Sequence, residues 1–147
     1  FRCCIGKKGL TNNKMEGDKK TPKGTFEIDK LYFRKDRIKK PITLLKCVEI
    51  NKTMGWCDDI NFLEKYNKLI KVNKKIRHEK LKRKDSKYDL LIPIKYNFNK
   101  PIANLGSCIF IHLTEDYRPT AGCVALKKKD FLIMLKLIKK NSKIKIF

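Results

Sequence analysis

The sequence predicts a mainly β protein with minor α. Short runs of β-branched and aromatic residues are separated by glycine, proline and asparagine. Only one segment, at about residues 127–140, carries a clear helical period, and a short alternating strand follows it.

Taken in order, Arg2 to Ile5 is a short apolar strand ending at Gly6. Residues 6–24 hold four of the seven glycines with Pro22, which is loop composition, and Thr21-Pro22-Lys23-Gly24 is a turn signal. Thr25 to Phe33 alternates loosely, with Phe26 and Ile28 inward, and reads as a strand. Ile42 to Ile50 is a second candidate. Residues 58–84 fit a short helix or an irregular loop, since Phe62, Tyr66, Leu69 and Ile70 fall near helical spacing. Tyr88 to Tyr96 is β-prone, and Pro93 argues for an edge or a bulge. Residues 97–105 are loop. In Cys108 to His112, period two places Cys108, Phe110 and His112 on one face and Ile109 and Ile111 on the other. Phe131, Leu132, Leu135 and Ile138 form one face of the amphipathic helix, with Asp130 near its start and Lys139 and Lys140 near its end. Asn141-Ser142 breaks it, and Ile144 and Ile146 alternate with lysines in the last strand.

The chain of 147 residues, 41% hydrophobic, is long enough for one domain and short for two. No run of 18 apolar residues is present. It begins with Phe1, so the N-terminus is expected to be incomplete. The 37 basic and 15 acidic residues give a net charge of +22. The lysines are spread along the whole chain, which fits an A/T-rich coding bias better than a dedicated polyanion patch. The charge still favours adhesion to anionic surfaces. Six cysteines include no CxxC pair, and with two histidines they do not suggest a zinc site. Adjacent Cys3 and Cys4 are poorly placed to bridge each other, so most of the cysteines are expected to be small buried residues.

The informative stretch is Gly106 to Leu126, GSCIFIHLTEDYRPTAGCVAL. A histidine at a strand end and a cysteine just past a glycine-containing turn can converge in space. Thiol catalysis needs only those two types, because imidazole can take the proton or pair with the thiolate. Gly122 lets the backbone turn tightly and present amides near Cys123 to a developing oxyanion. Spacing alone leaves open a buried structural cysteine beside a turn and a satisfied core histidine. Cys108 lies four residues from His112, about 13 Å along a strand, and is expected to pack. His78 is expected to be exposed.

Beyond that stretch, the ordered pieces are Cys3-x-Ile5-Gly6, Glu16-Gly17-Asp18, Thr21 to Phe26, Gly55-Trp56-Cys57-Asp58-Asp59, Tyr66-Asn67, Glu79, Asp85, Tyr88-Asp89, Tyr96-Asn97 and Gly106-Ser107. With Ile109 to His112 and Pro119 to Leu126, they resemble the L,D-transpeptidase catalytic domain, or YkuD domain. The similarity is to the branch whose nucleophile motif reads Pro-Thr-Ala-Gly-Cys-Val-Ala-Leu. It departs from the better-known Ser/Thr-His-Gly-Cys motif, since Ala121 stands where that histidine would be and no arginine follows the cysteine.

The resemblance implies a β-sandwich or barrel-like domain over residues 1–147 with Cys123 as nucleophile, His112 as general base and acid, and Gly122 in the oxyanion turn. Ser107, Thr120, Glu79, Asp85 and Tyr96 become candidate substrate contacts, and Glu79, Asp85 and Asp89 are candidates to orient His112, hold a cationic acceptor amine or anchor loops. The implied reaction is 3→3 cross-linking of peptidoglycan stem peptides through a thioester. L,D-carboxypeptidase trimming is the alternative, and a polyanion-binding module on a degenerate enzyme fold stands further off. No metal or cofactor is called for. A monomer, association with anionic wall polymers and no specific nucleic acid are expected, in the periplasm or cell envelope, with the cytoplasm as the alternative.

Overall fold

A computed structural model describes residues 1–147. Its strands are β1 (Cys3–Cys4), β2 (Leu10–Thr11), β3 (Thr21–Pro22), β4 (Gly24–Glu27), β5 (Leu31–Phe33), β6 (Cys47–Glu49), β7 (Met54–Cys57), β8 (Leu69–Lys71), β9 (His78–Lys80), β10 (Leu90–Pro93), β11 (Phe110–Leu113) and β12 (Val124–Leu126). Helix α1 (Lys128–Leu137) and strand β13 (Lys143–Ile146) complete the chain. The fold is thus mainly β, with one helix near the C-terminus and a final strand.

The central sheet has six strands in the order β1-β12-β11-β10-β5-β6. Alternation along its strands sorts side chains between two layers. Leu31 and Phe33, Leu90 and Ile92, Ile111 and Leu113, and Val124 and Leu126 face one way. They meet Phe131, Leu135 and Ile138 of the helical segment and Ile146 of β13, which pairs with β4. Tyr32, Leu91, Phe110 and Cys123 face the other way and pack with Trp56 and Leu81 of the β8-β7-β9 region. Two small sheets and a helix therefore cover a mixed sheet. None of the sheets closes into a barrel.

Several local expectations are corrected. Thr21-Pro22 is not a turn but an extended pair running parallel to Leu10-Thr11. The Thr25–Phe33 run splits into β4 and β5, which join different sheets. The Ile42–Ile50 candidate shrinks to β6, and Ile42 is 78% exposed. Residues 58–84 form neither helix nor plain loop, since β8 and β9 flank β7, a strand the hydropathy pattern did not announce. Pro93 does not mark an edge: β10 lies between β11 and β5, and Pro93 falls just past the last β5 pair, Leu91 with Tyr32. Its missing N–H is therefore not needed in that ladder. The strand expected from Cys108 starts at Phe110, because Cys108 takes φ +55°, outside strand geometry.

Helix α1 buries Phe131 and Leu135, with Leu132 partly buried beside them. Asp130 lies in the first turn and Lys136 in the last, where each complements the helix dipole. Ile138, in extended conformation, ends the helix and is itself buried. No helix is long and apolar enough to cross a membrane.

Candidate active site

Strands β11 and β12 run parallel, joined by residues 114–123, with Ile111 opposite Val124 and His112 opposite Ala125. Carried back one residue, this register sets Cys123 beside Phe110. Phe110 and His112 share a face, so Cys123 and His112 do too. Both side chains line one cleft of about 380 Å³, together with Glu79, Arg83, Tyr88 and Thr120.

The turn that delivers Cys123 is locked from several directions. The Thr120 N–H donates to Ile5 O at 2.9 Å, and the Lys7 N–H donates to Thr120 O at 2.9 Å. The Thr120 hydroxyl donates to Cys123 O at 2.6 Å and accepts from the Gly122 N–H at 3.1 Å. Gly122 sits at φ +148°, and a Cβ there would lie 2.9 Å from Lys20 O, so only glycine fits. Among the amides near Cys123 expected to face an oxyanion, that of Gly122 is engaged by Thr120, whereas the Cys123 N–H makes no hydrogen bond within the chain.

The Cys123 thiol is buried, donates to Cys108 O at 3.1 Å and accepts from the Phe110 N–H at 3.4 Å. Burial, followed by the nearby Glu79 carboxylate, pushes its pKa up to about 12, against opposing effects of the Phe110 N–H and the Lys14 ammonium. His112 is 7% exposed and its Nδ1 lies 2.9 Å from Leu113 O. A carbonyl can only accept, so Nδ1 carries the proton and Nε2 keeps its lone pair. Burial lowers the His112 pKa to about 4; Lys87 and Arg83 push the same way, while the Leu113 bond opposes. The resting pair is therefore a neutral thiol and a neutral imidazole.

Cys108 packs, as expected, but its backbone matters more than its side chain. Its N–H donates to Asn67 Oδ1 at 3.0 Å, and the same oxygen accepts from Trp56 Nε1 at 3.0 Å. Asn67 Nδ2 donates to Tyr96 O and Asn97 O. This buried amide fixes the strained residue whose carbonyl accepts from the Cys123 thiol. Its part was missed from the sequence; only the left-handed tolerance of asparagine, used here at φ +54°, could have hinted at it.

Behind His112, the Tyr88 ring packs edge-on at 5.4 Å between centroids, and the Tyr88 hydroxyl donates to Glu79 Oε2. Burial raises the Glu79 pKa, with the Tyr88 bond opposing. Arg83 stacks over Tyr88 at 5.0 Å and grips Asp85 at 2.8 and 2.6 Å. Of the candidate substrate contacts, Glu79 and Thr120 line the cleft and Ser107, Asp85 and Tyr96 do not. Ser107 donates to Glu16 Oε2 at 2.7 Å and Tyr96 to Leu105 O at 2.7 Å. Asp89 pairs with Arg37 at 3.0 Å, away from the cleft. His78 is half-buried rather than exposed, because its ring lies over Gly55, where a Cβ would come within 2.6 Å of Cδ2.

All six cysteines are free. No three His, Cys, Asp or Glu side chains converge as a metal ion would require.

The family model described as the L,D-transpeptidase catalytic domain, YkuD, matches residues 1–146. The chain belongs to this family. YkuD domains are cysteine-dependent L,D-transpeptidases that act on peptidoglycan. No curated protein and no solved structure matches the chain.

Proposed function

We propose that this YkuD domain is a single catalytic unit that forms 3→3 cross-links in peptidoglycan through a thioester on Cys123. The observation that supports this reading best is the parallel β11–β12 register, which puts thiol and imidazole on the same face of one cleft.

The Cys123 sulfur attacks the carbonyl of the third, L-centred residue of a stem tetrapeptide. A thiol with a pKa near 12 does not ionise on its own at neutral pH, so proton transfer must accompany attack. His112 Nε2 is the acceptor, and the Nδ1 bond to Leu113 O keeps the ring in the tautomer that can do this. The Cys123 N–H steadies the oxyanion, and Gly122 gives the turn its shape. His112 then returns the proton to the departing D-alanine amine. The side-chain amine of a second stem resolves the thioester and completes the cross-link. The dispersed +22 charge supports loose association with anionic wall polymers in the cell envelope.

Intact-protein mass spectrometry after incubation with a carbapenem tests the nucleophile. One adduct on the wild type and none on Cys123→Ala is expected. No adduct on the folded, reduced wild type would overturn the reading. Incubation with disaccharide-tetrapeptides then distinguishes cross-linked dimers from trimmed tripeptides.

A further inference from the structure

Three carboxylates come close to the catalytic histidine in sequence pattern, and the structure separates them. Asp85 is held by both nitrogens of an Arg83 fork and Asp89 by Arg37. Glu79 has no ion pair. It reaches the cleft from the middle of β9, whose Glu79 pairs with Trp56 of the core. One of its oxygens accepts the Tyr88 hydroxyl, and the other, Oε1, makes no hydrogen bond within the chain. The cleft thus carries a half-buried carboxylate with one open oxygen on the wall shared with Cys123 and His112.

A carboxylate so placed is ill suited to the first half-reaction. Its charge opposes formation of the Cys123 thiolate. It is well suited to the second. The incoming group is an ammonium, which cannot attack until it loses a proton, and a partly desolvated carboxylate both attracts the cation and takes that proton. The charged and titratable groups around Glu79 are Tyr88, which holds it, Arg83 over the Tyr88 ring, Asp58 and Glu16 at longer range, and Cys123, His112, Lys87, Asp116 and Arg118, which line the same cleft.

Resting on the cross-linking reading above, we infer that Glu79 is the residue that binds the acyl-acceptor ammonium and deprotonates it for attack on the thioester. The ammonium gives one proton to Glu79 Oε1, and its freed lone pair forms the N–C bond. The second proton passes to His112 Nε2. The C–S bond breaks with its electron pair on sulfur, and His112 returns that proton to Cys123. Glu79 releases its own to water. The products are the amide, the free thiol and one proton.

Glu79→Gln keeps an acceptor for the Tyr88 hydroxyl and removes the base. The readout is how each acyl-enzyme formed divides between amine and water, so any change in acylation drops out. With an alkylammonium acceptor, the amine-to-water ratio is expected to fall at least about tenfold. With methoxyamine, which is already neutral at pH 7, it is expected to stay close to that of the wild type. An equal fall for both amines, or no fall for the alkylammonium, would overturn the inference. Neither result bears on acylation of Cys123, which tests the parent reading separately. If Glu79→Gln fails to fold, wild type carries the test. Use of the alkylammonium should decline relative to methoxyamine as pH drops through the raised Glu79 pKa, and parallel decline would count against the role.

Discussion

The Cys123 thiol points its proton at the Cys108 carbonyl, 3.1 Å away, rather than at His112. The thiol is thus held on the backbone of a residue at positive φ, and no hydrogen bond joins it to the imidazole on the same face.

This arrangement predicts the pH behaviour. Iodoacetamide should alkylate Cys123 slowly at neutral pH, with the rate climbing toward the thiol pKa near 12. Carbapenem acylation depends on neutral His112 and should persist well below pH 6.5, failing only as pH falls through about 4. Stopped-flow acylation against pH checks this, and an acid limb near 6.5 would contradict it. Stability follows with its own sign. The folded-state pKa of His112 is depressed, so its contribution is full above pH 6.5 and declines as pH falls toward 4, by about 3 kcal/mol in all. Cys123 acts oppositely. Its folded-state pKa is raised, so its contribution is full below the unfolded pKa and is lost as pH rises toward 12.

Asn67→Ala should cost both stability and activity. It strands the Trp56 Nε1–H and the Cys108 N–H, each worth about 1–3 kcal/mol when buried without a partner. Because it also frees Cys108, acylation should slow more than the loss of folded protein explains. Urea unfolding and acylation rate measured on the same sample separate the two.

Gly122→Ala should remove acylation. The new Cβ meets Lys20 O at 2.9 Å, at a φ that side chains rarely adopt, so the turn must open and carry Cys123 with it. Thr120→Val offers a milder version, removing the hydroxyl from Cys123 O and the Gly122 N–H. Its acylation rate should lie between Gly122→Ala and wild type.

Phe131→Ala tests the layer behind the central sheet. The ring is fully buried, so about 3–5 kcal/mol should be lost, visible as a lower urea midpoint. Whatever protein remains folded should acylate at the wild-type rate, since Phe131 packs on the face opposite Cys123.

The helix and the two faces of β11 were legible because each carries its own period: Phe131, Leu135 and Ile138 in one case, Ile111 against Phe110 and His112 in the other. The juxtaposition of Cys123 and His112 was legible from residue types and motif order. The β7-β8-β9 sheet was not, because its flanking strands are three residues each and rich in lysine, leaving no period to read. The roles of Asn67 and of the Cys108 carbonyl were hidden for another reason. Both act through backbone groups and a side-chain amide, which depend on where distant segments meet rather than on local pattern.

The parallel ladder of β11 and β12 has one more consequence. The parallel ladder fixes Val124 opposite Ile111, and with the Thr120–Gly122 turn intact it holds Cys123 and His112 on one face. The stretch from Glu115 to Pro119 borders the cleft, and it can lengthen, shorten or change charge as long as Thr120 keeps the bonds that hold the Cys123 turn. On the proposed reading, changes in that loop would alter which substrates enter the cleft while the Cys123–His112 spacing stays fixed.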